Sequence, residues 1–334
     1  PGQLSAQDIM ERRLSDGLLR KLKFVSLGDA EGGVMATVEH MHEAAWAACG
    51  IPHKFVHRYS NVDEMCNSEV FSSEDFGGGS VYDATCQRLL MDKVHVLTKE
   101  AKAIGYVDTL SQQSGVVGDN TDWKGLYVSI KRLLDTDTDD EGNHDNKFAL
   151  LLGSSGTNSD RAAAYAIKQL GLNVIYYHDT DVSCENGAHE NMKEKYAAVI
   201  LKDLTSPSEW NDKLGNGKLK VIISTLSSQS EPQIQPQLLK QKPIVCEMTE
   251  TANYSPLLLQ AESSGCDVIR GTEVMWEKGV AQFETWMGRS APYKVMKTVV
   301  LDECLHKEQN DLDLEENVGG SGKRILGQRT GNKF

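Results

Sequence analysis

The sequence has no run of eighteen apolar residues, no Cys-x-x-Cys pair and no surplus of basic charge. Each absence removes a class of function. Without the first, no transmembrane helix is expected. Seven scattered cysteines, an odd and unpatterned set, read as reduced intracellular thiols, not as a disulfide frame or a zinc site. With 35 basic against 48 acidic residues and a net charge of −13, the chain lacks the positive surface that displaces counterions from nucleic acid, so no direct DNA contact is expected. The initiator Met is missing too. The opening "PGQLSAQDIMERR" reads as the start of a piece cut from a longer chain. The nine histidines form no ligand pattern; "HMH" at 40–42 is spaced i, i+2, which cannot place both rings on one helix face.

What is present is ordinary globular material, 40% hydrophobic and 25% charged over 334 residues, a length that suggests two domains. "LKFVSLG", "VEHMHEAAWAACG" and "HKFVHRY" read as strand, helix and strand, and "FGGGSVYDATCQRLLM" runs from a glycine-rich segment into helix. "AKAIGYVDTL" and "SGVVGDNTDW" read as two short strands before the amphipathic helix "WKGLYVSIKRLL". The acidic "DTDTDDEGNHDNK" reads as a surface insertion or linker. A second unit opens with the continuous apolar run "KFALLLGSSG", of the buried parallel type, and the helix "DRAAAYAIKQLG". Strands follow in "NVIYYHDTD", "YAAVILKDL", "KVIISTLS" and "PIVCEMT". The long helix "GTEVMWEKGVAQFETWMG" is expected to fold back on the first unit, and the Gly-rich tail beyond Cys304 to be disordered. Alternating β and α in both halves implies parallel sheets with helical cover, the second of them dinucleotide-fold-like.

Six blocks in order carry a resemblance: "FGGGSV", "AKAIGYVDTL", "GDNTDWKG", "LLGSSG" with "RAAAYA", "SPLLLQAESSGCDVIRG" and "GVAQFETWMGRSAP". Together the chain resembles the shikimate dehydrogenase family from about residue 22 to 300, in particular the last domain of the fungal pentafunctional aromatic-pathway enzyme. The resemblance implies a two-domain α/β fold, an N-terminal parallel or mixed domain plus a Rossmann-like domain. Residues 1–21 would join a preceding dehydroquinase-like domain. Residues 22–125, completed by helices from 273–303, would form the substrate-like domain, 126–272 the Rossmann-like domain and 304–334 the tail.

In that family a lysine and an aspartate flank the substrate hydroxyl and handle its proton, with NADP as hydride partner. Asp122 matches the aspartate. The lysine position falls on Cys86 or Gln87, neither an amine, and Arg88 nearby keeps its protons at physiological pH. The serines that hold the substrate carboxylate have no counterpart: residues 27–59 contain no serine, and Ala36 and Val38 are the nearest equivalents. Tyr82 or Asp83 stands for the threonine before the lysine, Asp108 for an asparagine, Glu250 for a tyrosine and Lys278 for a glutamine. A cleft gaining Asp108 and Glu250 would repel a carboxylate. The cofactor loop "GSSGTNSDR" is longer than the family's, with Ser155 in place of a close-approach glycine between Gly153 and Gly156. Asp179 would repel a 2′-phosphate, although an acid at that spacing can also grip a ribose hydroxyl and favour NAD. No cofactor and no metal are expected.

An intact scaffold with replaced catalytic groups implies a pseudoenzyme. The resemblance extends to the dehydrogenase-like portion of fungal quinate repressors. It implies a nuclear or cytoplasmic domain that represses quinate-utilisation genes through contact with an activator protein, with a pathway metabolite as signal. Two rivals stand beside it. One is an active NAD(P)-dependent quinate or shikimate dehydrogenase in which Cys86, its pKa depressed by Arg88 or Lys278, is the base. The other is a homodimerisation module in which Asp122, with Asn120 and Thr121, only caps a helix starting near Trp123.

Overall fold

The computed structural model describes residues 21–28, 33–136, 147–153, 156–178, 188–215, 217–226, 232, 234–249 and 255–304. The opening segment, the acidic stretch after residue 136, Ser155, Asp179, Glu250 and the tail beyond Cys304 lie outside them.

Two six-stranded sheets organise the chain. The first contains β1 (Leu22–Leu27), β2 (His53–Tyr59), β3 (Phe76–Val81), β4 (Val96–Leu97), β5 (Thr109–Gln112) and β6 (Val116–Asp119), in the order β2-β1-β3-β5-β6-β4. β5 runs antiparallel to both its neighbours and the other pairings are parallel, so this sheet is mixed. Helices α1 (Gly33–Ala48), α2 (Val62–Cys66), α3 (Ala84–Leu89), α4 (Lys99–Ile104) and α5 (Asp122–Leu134) accompany it.

The second sheet is wholly parallel. It contains β7 (Lys147–Gly153), β8 (Asn173–His178), β9 (Val199–Leu201), β10 (Lys218–Ser224), β11 (Ile244–Glu247) and β12 (Val268–Ile269), ordered β12-β11-β10-β7-β8-β9. Its helices are α6 (Asn158–Gln169), α7 (Ala188–Tyr196), α8 (Pro207–Leu214), α9 (Pro236–Leu239) and α10 (Pro256–Ser263). The chain ends its described part in α11 (Gly271–Met287) and α12 (293–304).

The side-chain period of two explains the second sheet. Along β7, Leu150 and Leu152 enter the core cluster that holds Trp210 and Leu257, while Ala149 and Leu151 enter the opposite cluster with Ala163 and Tyr176. Both faces are covered, hence the unbroken apolar run. The strand order reverses between β7 and β10, which opens a crevice at their carboxyl ends.

α11 packs on the first sheet, as expected. Phe283, Trp286 and Met287 share a core with Phe24, Val38, Met41 and Trp46. Gly78 permits the approach: at φ +155° its added Cβ would stand 2.4 Å from Trp286 Nε1, whose N–H donates to the Leu110 carbonyl at 2.8 Å. The "AKAI" stretch departs from expectation, for it is helical. Thr98 caps it by accepting the Ala101 N–H, and Gly105 ends it at φ +95°. Ala101 and Ile104, three apart, are its buried face; the strand read there is confined to Thr109–Gln112.

Candidate functional site

β6 delivers the chain to α5, and the way that helix begins decides the chemistry around Asp122. The local cap expected of Asp122 with Asn120 and Thr121 is not what holds the helix, which already includes Asp122. Thr121 makes no side-chain cap bond, and the Asn120 oxygen meets the Trp123 N–H only at 3.5 Å. Asp108, just before β5, caps the helix instead. Its carboxylate accepts the N–H of Thr121 at 2.8 Å and of Asp122 at 2.7 Å, and the Thr109 hydroxyl at 2.7 Å. Asp108 is fully buried. The expectation that it lines an open cleft and repels a carboxylate is thereby corrected, because its oxygens face the helix end.

Relieved of capping, Asp122 turns to two donors. The Tyr106 hydroxyl donates to Oδ2 at 2.7 Å, and Lys278 Nζ lies 2.6 Å from Oδ1 and 3.8 Å from Asp108 Oδ2. The acid was expected to have no amine opposite; the structure supplies one from α11. The cause is a helix crossing. A Cβ on Gly125 would fall 2.6 Å from the Val274 carbonyl and 3.1 Å from the Lys278 nitrogen, so only a glycine lets α5 and α11 touch here, three residues from Asp122. Lys278 also stands 5.7 Å from the centre of the Tyr82 ring. The structure thus gathers Asp108, Asp122, Lys278 and Tyr82. Ala36 is half-buried on α1 and Val38 packs into the core.

Electrostatically this is a closed set. Burial raises the Asp122 carboxyl, but the charge and hydrogen bond of Lys278 outweigh it and hold the group below its ordinary value. Desolvation opposes the Lys278 charge, yet the two aspartates raise its pKa well above the usual range. Burial, then the Asp122 charge, pushes Asp108 up to about 7 against the pull of Lys278. Tyr106 is raised by burial and by both carboxylates. Behind the group, Gln282 accepts from Ser80 at 3.3 Å and gives its amide N–H to Thr109 at 3.1 Å. His42 Nε2 stands 3.1 Å from the Gln282 oxygen, and burial lowers that ring to about 4, so it is neutral.

Asp108 carries a pH prediction. Its folded-state value of about 7 lies above the ordinary 3.8, so its stabilisation is complete below about pH 4 and is lost as pH rises through 7. Urea midpoints measured from pH 4 to 8 should fall more steeply in the wild type than in Asp108→Asn; parallel curves would remove Asp108 as the cause.

The alternative base fails on position. Cys86 is buried in the core cluster with Val62 and Leu90, and burial followed by Asp83 raises its thiol to about 11. The depressed pKa required of it is thus corrected in direction. Gln87 spends its amide on the Val81 carbonyl at 2.9 Å and accepts from Asn158 at 2.8 Å; Asn158 also donates to the Ala84 carbonyl. The position read as a lost lysine therefore ties α3 to α6.

At the crevice of the second sheet, Gly153 ends β7 and Gly156 holds φ +73°. A Cβ on Gly153 would lie 2.3 Å from the Tyr176 ring and 2.8 Å from Asp160 Oδ2. Asp160, fully buried at the start of α6, accepts the N–H of Gly156 at 2.7 Å and of Thr157 at 3.2 Å, the Tyr176 hydroxyl at 2.9 Å and the Thr225 hydroxyl. Amides that commonly face a pyrophosphate in such a loop here face a protein carboxylate. Among the described residues no group of acids, histidines and cysteines could hold a metal ion, and no helix is long and apolar enough to cross a membrane.

Asp160, Tyr176, Tyr106 and Gln282 escaped the sequence reading. Asp160 carried a signal, the Thr157-x-x-Asp160 capping box. Near the expected serine positions the structure places Arg58, whose Nε and Nη2 both donate to the Glu39 carboxylate, which also accepts from Ser26 at 2.9 Å.

No protein-family model matches the chain. Pentafunctional AROM polypeptide 1 of Lodderomyces elongisporus is 30% identical over 318 residues, 90% of this chain and 19% of that protein. That of Eremothecium gossypii is 26% identical over 319 residues, 91% of this chain and again 19% of its own. The chain therefore spans about a fifth of the length of these relatives. Among solved structures, the dehydroquinate dehydratase and shikimate dehydrogenase of S. pombe AroM aligns with a TM-score of 0.70 at 23% identity, covering 90% of this chain and 57% of that one. This likeness shows a common α/β fold.

Proposed function

We propose, taking as premise a shikimate dehydrogenase-like fold and homology to the shikimate dehydrogenase region of the pentafunctional AROM polypeptide, that this chain performs no hydride transfer and acts as a regulatory domain. The observation that carries the reading is the closed pair. Lys278 and Asp122 are 2.6 Å apart and only 15% and 16% exposed, so each group's charge is spent on the other. A secondary alcohol gives up hydride only when a group beside it takes its proton. The raised Lys278 pKa leaves no neutral amine for that task, Cys86 is buried as a thiol, and Asp160 occupies the phosphate end of the nucleotide crevice.

The finer part of the proposal rests on the motif resemblance. The chain is the dehydrogenase-like portion of an intracellular repressor of quinate-utilisation genes. It works by protein contact with the pathway's activator, with a pathway metabolite as signal and no DNA contact of its own. The net charge of −13 supports contact with protein over nucleic acid.

One observation favours the enzyme instead: a lysine within bonding reach of Asp122 is the pairing that the resemblance implies for catalysis, delivered from α11. A spectrophotometric NAD(P)H assay with quinate and shikimate separates the two. No turnover above background is expected. Turnover that falls ~10²–10⁴-fold in both Asp122→Asn and Lys278→Met would establish the dehydrogenase and end the regulatory reading. For the regulatory role, isothermal titration against the purified activator, with and without quinate, shikimate or dehydroshikimate, should give heat; silence throughout would sink it.

A further inference from the structure

Two cations converge away from the aspartate–lysine group, where the first unit meets the second. Arg161 leaves the early turns of α6, and Lys195 stands near the end of α7. A methyl group placed on Gly105, the residue that ends α4, would lie 3.4 Å from Lys195 Nζ and 3.7 Å from Arg161 Nη1. Both charges border one point in space. Arg161 gives its Nε–H to the Gly156 carbonyl at 3.2 Å, and Lys195 donates to the Ile104 carbonyl at 3.3 Å. Neither forms an ion pair with an acid among the described residues. The acid on the adjoining helix, Glu100, is joined to Lys99 at 3.6 Å.

A third group points to a ligand. Tyr196 follows Lys195 in the chain, and the ammonium lies 6.0 Å from its ring centre. The residue is 4% exposed, and its hydroxyl is buried without a hydrogen-bond partner. The Arg161 charge reaches that hydroxyl. Capping the carbonyl end of α4 accounts for one cation. It does not account for a second beside it, whose like charge, after desolvation, lowers the Lys195 pKa, nor for an idle buried phenol. The two charged groups, guanidinium and ammonium, are donors only, and the phenol has an O–H to give. A polyol would need acceptors as well. A fully deprotonated oxyanion needs only donors, and charge-assisted bonds to it are the strong kind.

We propose that Arg161, Lys195 and Tyr196 form a binding site for a small phosphate-type dianion at the seam between the two units. The ligand bridges α4 of the first unit to α6 and α7 of the second. Its source is either free phosphate or the phosphoryl group of a monoester, and the site is independent of whether the aspartate–lysine group turns over substrate.

The test is thermal unfolding of the whole chain with inorganic phosphate, with glycerol phosphate, and with sodium chloride at matched ionic strength. Both phosphates should raise the midpoint beyond chloride in a saturable way, and the one that acts at lower concentration names the source. Lys195→Gln, at an exposed position, should keep the fold and weaken the affinity roughly tenfold or more, the scale of one lost hydrogen bond to a charged group. Tyr196→Phe removes only the idle hydroxyl; it should leave the phosphate-free midpoint unchanged or higher while weakening the affinity severalfold. Equal midpoints in chloride and phosphate would overturn the proposal. So would affinities that neither variant changes.

Discussion

Replacing Lys278 by methionine is expected to cost the fold about 3–5 kcal/mol, the scale for stranding one partner of a buried ion pair. The ammonium touches Asp122 at 2.6 Å and neighbours Asp108 at 3.8 Å. Methionine keeps the length of the stem and removes the charge. Asp108, already near 7, can answer by taking a proton. Asp122 loses the charge that offsets its burial, because Lys278 is what holds its carboxyl low in the wild type. Without the lysine, the Asp122 pKa must climb, and a group with a raised folded-state value gains stability as pH falls. The penalty should therefore shrink between pH 8 and pH 5. Adding Asp122→Asn should restore most of the loss, since replacing a buried pair as a unit is often neutral while halving it is not. Asparagine still accepts from the Tyr106 hydroxyl. Urea unfolding of the two singles and the double closes this cycle. A loss below about 1 kcal/mol in Lys278→Met would mean that the pair is wet and open, and the main support for the regulatory reading would go with it.

The reason the pair was illegible in the sequence is instructive. Asp122 could be singled out because a carboxylate at a loop-to-helix junction is conspicuous. Lys278 sits more than 150 residues later in a helix read correctly, yet nothing local tells which residue on the far side it will meet. That partner is set by the crossing at Gly125, and a crossing is a tertiary fact. Local physics was readable where it is strong: the buried run "KFALLLG" became β7 and "KVIIS" became part of β10. It misleads at "AKAI", where a six-residue helix (Lys99–Ile104) bounded by Thr98 and Gly105 precedes the strand. Asp108 illustrates a different limit. Its identity as an acid was plain, but whether an acid repels a ligand or caps a helix depends on which way it faces, and the N–H groups of Thr121 and Asp122 that claim it are 13 and 14 residues away.

The second large effect is expected at Asp160, where substitution by alanine should cost about 1–3 kcal/mol. One carboxylate serves the Tyr176 and Thr225 hydroxyls and the Gly156 and Thr157 amides; without it the Gly156 N–H still has the Tyr176 oxygen at 3.0 Å and the Thr225 hydroxyl the Leu152 carbonyl at 3.1 Å. Asp160 and Tyr176 are fully buried, and each donor left without an acceptor in such a place costs about 1–3 kcal/mol. The Tyr176 hydroxyl carries most of this cost, because Asp160 is its acceptor. Asp160→Asn should fall between alanine and wild type, because one amide oxygen remains to accept while its NH2 confronts the same donors. Tyr176→Phe isolates one of the four. If the phenol depends on Asp160 as the 2.9 Å contact implies, the cost of Tyr176→Phe measured in the Asp160→Ala background should be smaller than in the wild type, or reversed in sign. Additive costs would mean that the two side chains act separately. The same carboxylate already holds the Gly156 and Thr157 amides, so fluorescence titration of the wild type with NADPH should show no saturable binding. Micromolar affinity there would demonstrate that Asp160 yields its amides to a pyrophosphate, and it would return the second sheet to the company of working dinucleotide folds.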